Sequence, residues 1–134
     1  MQDEQEVLKT FKEYGEKFES LKPGEIIPYY HYPSILISDD KAVALKNQLE
    51  AWLVLKKVMG DLKQQGYKYN LMRDLKVTFQ SDNLATITGA ATRFKQDNSV
   101  ILDFGLTYTL RKVSDRWKII AGIIHDVVPP SIPN

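Results

Sequence analysis

From Tyr67 to Asp126 the chain holds four runs rich in β-branched and aromatic residues. They are Tyr67–Gln80, Leu84–Phe94, Ile101–Lys112 and Trp117–Asp126, and three short clusters separate them: SDN (81–83), QDNS (96–99) and VSDR (113–116). Close turns between strand-like runs predict successive antiparallel hairpins, here a four-stranded meander. The first run is long and carries Met72, Arg73 and Asp74, where a bulge or bend is expected. Pro-rich residues 127–134 cannot extend a ladder and read as a tail.

The N-terminal half has a different period. Val7, Phe11, Tyr14, Phe18 and Leu21 recur at three- and four-residue steps, the apolar face of a helix. Asp3 can cap that helix, Glu6 suits its first turn, and KPG (22–24) stops it. Ile26–Tyr30 reads as one or two helical turns, and SILIS (34–38) as the first strand. Asp39 or Asp40 is expected to cap a second helix with apolar positions Leu45, Leu49, Trp52, Leu53 and Met59, ending at Gly66. Helices followed by a meander predict an α+β class, with N-terminal helices packed in the concave face of a curved, mostly antiparallel sheet, a cone. Residues 1–126 form a single such domain in this reading.

Composition removes several chemistries. The 134 residues contain no cysteine and only two histidines, His31 and His125, so thiol chemistry is excluded and ligands for a metal are scarce. We expect no metal and no cofactor. Net charge is +1 with both signs interleaved, which argues against a nucleic-acid partner. The start, MQDEQEVLK, has no apolar leader, and no apolar run is long enough for a bilayer, so neither export nor a membrane partner is expected and the reading is cytoplasmic.

Three segments resemble a known family. YTLRKVSDRWKIIAGIIHD (108–126) resembles the closing hairpin of the SnoaL-like branch of the nuclear transport factor 2-like superfamily. LKVTFQSDNLATITGAATRFKQDN (75–98) resembles its middle hairpin, and YYHYPSILIS sits where its first strand begins. The resemblance implies the cone fold and a superfamily of cyclases, isomerases, dehydratases and non-catalytic association domains, among which fold alone does not choose. It also implies a base near the end of the first strand, where Asp39 stands, and a tyrosine from the first helix, where Tyr14 stands. The isomerases' second acid has no counterpart, since Leu106–Tyr108 offers no carboxylate.

Each candidate has two readings. Asp39 is a base or a helix cap, and Tyr14 reaches the cavity or packs in the core. By twos, Trp117, Ile119, Ala121, Ile123 and His125 share a face, so His125 is a general base in the cavity or a rim residue bonded to a carbonyl. Arg93 anchors an anion or lies in solvent at a hairpin end. Trp52 and Tyr108 line the cavity or pack the core. The row Tyr29, Tyr30, His31, Tyr32 cannot all face inward, and Tyr30 and His31 are the members expected at the cavity. The function expected is a small-molecule pocket. It transfers a proton on an organic substrate, with His125, Asp39 and Tyr30 as acid or base and His31, Tyr14, Trp52, Arg93 and Tyr108 binding, or it binds without chemistry, or the domain is a dimerisation module whose cone is filled by its own side chains. A homodimer through the sheet is expected, with the set Lys118, Ile120, Gly122 and Ile124 turned outward; the alternative is that the C-terminal tail covers Ile120 and Ile124 through Val127, Val128 and Ile132.

Overall fold

The computed structural model of the chain describes residues 3–127. Helix α1 (Glu4–Phe18) begins at Asp3, whose carboxylate accepts from the N–H groups of Gln5 and Glu6 at 3.0 and 3.2 Å. Its buried stripe is Val7, Phe11, Tyr14 and Phe18, the expected one. Leu21 leaves the helix with a left-handed backbone, and Pro23 opens a single turn, α2 (Pro23–Ile26), in the first helical position that proline favours. A 3₁₀ turn (Ile27–Tyr29) leads into strand β1 (Tyr30–Ile37).

The second long helix does not start at Asp39 or Asp40. Both are exposed in a bend, and the chain turns back as a short strand, β2 (Ala42–Leu45), antiparallel to β1. Ala-Val-Ala-Leu alternates in size, and its backbone pairs the free edge of β1, so Leu45 is a buried strand residue. Helix α3 (Gln48–Gln64) is capped instead by Asn47, which accepts from the Glu50 N–H at 2.9 Å while Glu50 accepts from the Lys46 N–H. This closes a capping-box-like pair. The delayed start rotates the stripe: Ala51, Leu55, Met59 and Leu62 are buried. Leu49, Trp52 and Leu53 are 68%, 37% and 55% exposed, and the Lys56 ammonium lies 4.8 Å from the Trp52 ring centre. Gly66, at φ +80°, ends α3 as expected.

The meander follows as β3 (Tyr67–Ser81), β4 (Leu84–Lys95), β5 (Val100–Val113) and β6 (Arg116–His125). The six strands lie in the order β2-β1-β6-β5-β4-β3, with only β1 and β6 parallel. The expected bulge is present: β3 slips register between Arg73 and Lys76, with Asp74 at φ +57°. A slip in β6 was not expected. In β6, Ile119 faces Leu110 but Ala121 faces Thr109, so Ile120 is an extra residue. Bulges bend a strand and raise its twist, which curves the sheet round α1 and α3. The core fills the space between, with Ile26, Leu45, Leu55, Ile87, Leu110 and Ile119 fully buried. Each such side chain contributes about 1.5–3 kcal/mol from burial.

Among the described residues no helix is long and apolar enough to cross a membrane. Of the tail, only Val127 is described; residues 128–134 lie outside the described part.

Candidate functional site

Three tyrosines and an arginine converge between α1 and the sheet. Tyr14 comes from the buried stripe of α1, Tyr30 from the first position of β1, and Tyr108 and Arg93 from the helix-covered face of β5 and β4. The Tyr14 and Tyr30 hydroxyls lie 2.6 Å apart, a short hydrogen bond that either can donate. Their rings meet edge to face at 5.7 Å, and Tyr108 sits 6.1 Å from Tyr14 and 4.9 Å from Phe11. Tyr108 needs a bare backbone opposite. Its cross-strand partner is Gly122, where a Cβ would come within 2.7 Å of the phenol ring.

The Arg93 guanidinium lies 4.9 Å from the Phe104 ring centre and 5.8 Å from that of Phe18. Its Nε is buried and has no hydrogen-bond partner among the described residues. Among the described residues no carboxylate comes within ion-pair distance of it. The space these side chains leave is about 40 Å³, bounded by Phe11, Tyr14, Phe18, Arg93, Phe104 and Tyr108 among others. That holds water, not an organic molecule.

Burial pushes the Tyr14 hydroxyl well above the usual phenol range, and neighbouring Tyr108 and Tyr30 reinforce it. Burial also raises Tyr30 and Tyr108; for Tyr108 the Arg93 charge opposes the rise. Burial, then the Glu19 carboxylate, raises Tyr67. These phenols are neutral at physiological pH. No carboxylate or imidazole lines the inner space among the described residues. The site therefore offers hydrogen bonds and one cation, and none of its side chains accepts a proton near neutrality.

Alkaline titration checks this. Of the seven tyrosines, Tyr14, Tyr30, Tyr67 and Tyr108 should stay protonated in the folded protein where a free phenol ionises, and ionise together on unfolding. Above about pH 10 the unfolded chain has lost phenolic protons that the folded chain keeps, so stability falls as pH rises. The slope is about 1.4 kcal/mol per pH unit for each interior phenol. Seven phenols titrating near pH 10 in the folded state, read by tyrosinate absorbance, would contradict the burial.

The other sequence candidates lie elsewhere. His125 does not share a face with Trp117 and Ile119. The extra residue at Ile120 shifts the alternation, so Gly122 and Ile124 face the helices while Ile123 and His125 face the open side. There the His125 Nε2 is 3.0 Å from the Thr107 Oγ1, and its Nδ1 donates to the Asp126 carbonyl at 2.7 Å. Asp39 is in the exposed bend and Trp52 on the wet side of α3. His31 is half-buried and does not line the inner space. Sequence reasoning missed Gly15, Asn70 and Met72, which do line it. The available signal was Gly15, a helix-weakening residue inside a helix and beside Tyr14.

The model of an NTF2-like protein family (DUF6841) matches residues 3–127. The chain belongs to that NTF2-like family. Among solved structures, an NTF2-like protein of unknown function from Shewanella oneidensis MR-1 superposes with a TM-score of 0.72 at 18% identity, covering 90% of this chain and 97% of its own. A cystatin-like-fold protein of unknown function from Nostoc punctiforme gives 0.74 at 14% identity, covering 99% and 98%. An NTF2-like protein from Streptomyces avermitilis, provisionally assigned as a dehydratase, gives 0.73 at 12% identity, covering 93% and 96%. At these identities the likeness is one of fold. Among curated proteins none is similar enough to count as a match.

Proposed function

We propose that this NTF2-like domain binds a small organic anion inside its cone, with the Arg93 guanidinium as anchor and the Tyr108 and Tyr14 hydroxyls as hydrogen-bond partners. The observation that carries this is a cation set among Phe18, Phe104 and Tyr108 with a buried, unpartnered Nε. Buried donors are ordinarily satisfied, and charged ones are paired. Arg93 is half-buried, and a carboxylate can accept from its buried Nε and from a second guanidinium N–H at once. The lining residues include no proton acceptor, which favours binding over proton transfer.

The test is thermal unfolding with benzoate and hexanoate, each beside its uncharged amide. The carboxylates should raise stability by about 2.7 kcal/mol at a hundred times the dissociation constant, and the amides should not. Amides that stabilise equally, or no response to either, would refute the reading.

The second partner is another copy of the chain, through the open face of the sheet. Ile35, Ile37 and Ile123 form a half-buried row there, because β1 and β6 pair Ile35 with Ala121 and Ile37 with Ile123. Ile124, expected on this surface, instead packs toward the core. A sheet face with such a row needs a cover, and two-fold pairing is its commonest form. Light scattering should find a dimer for the wild type and a monomer for Ile123→Glu; a monomeric wild type at tens of micromolar would refute it.

A further inference from the structure

The inner space is too small for the ligand class just proposed, yet a second space adjoins it. A groove of about 230 Å³ lies between α1 and β3, lined by Lys12, Glu16, Glu19 and Leu75, and by Gly15, Asn70 and Met72. Gly15, Asn70 and Met72 also line the inner space. Together the two approach the lower end of ligand-pocket volumes, about 300 Å³. Met72 stands at their junction with Gly15 and Asn70. Its Cε sits over Gly15, 2.8 Å from where a Cβ would be. Gly15 lies inside a 15-residue helix, where glycine is otherwise unfavourable, and the missing side chain makes a seat for the methionine methyl. Methionine is unbranched with three rotatable bonds, so it leaves such a seat without strain. The Asn70 side-chain oxygen, buried and without a partner among the described residues, lies at the same junction.

We propose that Met72 is the latch of the binding site and that the ligand is an elongated carboxylate. Its head lies at Arg93, and its apolar body passes between Gly15 and Met72 into the groove beside Leu75. The proposal rests on the anion reading of Arg93 for the head and adds the route and the length. The latch explains how a cone with an inner space of only about 40 Å³ admits an organic acid. It also makes Met72 and Gly15 the residues that set chain-length specificity.

Calorimetry with linear alkanoates from propanoate to octanoate tests the length. In the wild type, affinity should tighten by about fourfold per methylene, the gain from burying each CH₂, until the groove is filled. Gly15→Leu fills the passage and should abolish that increment. Met72→Ala removes the latch and should speed octanoate association at least tenfold in stopped-flow fluorescence, and it carries the test alone if Gly15→Leu does not fold. A wild type with no chain-length increment, an increment that survives in folded Gly15→Leu, or an unchanged association rate in Met72→Ala would overturn the latch. The two readings fail separately. Octanoate binding Arg93→Met as tightly as wild type removes the anion anchor. Binding lost in Arg93→Met but indifferent to both latch variants keeps the anchor and removes the latch.

Discussion

Valine at position 122 should destabilise the protein by about 1–3 kcal/mol and drive Tyr108 out of the phenol cluster. A Cβ at this site would lie 2.7 Å from one atom of the Tyr108 ring and 3.0 Å from the next. The ring cannot simply swing aside. It is buried against Phe11 and Tyr14, and interiors are packed too tightly to absorb a side chain without displacement. Gly24→Ala is the control, because a Cβ there meets nothing within 4 Å. Chemical denaturation should separate the two variants clearly. Equal, small effects would mean that Tyr108 is not held against Gly122.

Arg93→Met should have opposite effects on binding and on stability. Truncating one partner of a fully buried charge pair costs about 2–5 kcal/mol of binding, and Arg93 is half-buried, so carboxylate affinity should fall by about 30-fold, the low end of that range. The free protein should be as stable as the wild type, or more so by about 1–3 kcal/mol. Methionine fills much of the same space between Phe18 and Phe104 and removes the penalty of the unpartnered Nε. A residue kept at a cost to stability is the usual mark of function. If Arg93→Met destabilises the protein by several kcal/mol, Arg93 is a structural residue.

Much of the fold was legible because period and turn chemistry agree. The α1 stripe, the three hairpins and the bend at Arg73–Asp74 each follow from local pattern. What was not legible depends on tertiary pairing. Ala42–Leu45 reads as the start of the second helix, and the free edge of β1 makes it a strand instead. The bulge at Ile120 lies in a run, IIAGII, where both alternating sets are apolar, so counting by twos has no way to detect an inserted residue. That one residue turned His125 to the open face and Ile124 to the core. Within the site, Tyr14, Tyr30, Tyr108 and Arg93 were visible as separate candidates; their convergence comes from four different elements. Gly15 and Met72 were invisible as a pair because they lie on different elements, far apart in sequence.

The central claim is that Arg93 is an anion anchor, and the most direct measurement is the NMR resonance of its own side-chain Nε–H during titration with hexanoate. The signal, assigned by its loss in Arg93→Met, should move downfield as the carboxylate accepts its hydrogen bond, saturate with the calorimetric dissociation constant, and stay still when the amide is added. An Arg93 Nε–H that does not move while hexanoate binds and shifts backbone signals elsewhere would contradict the account.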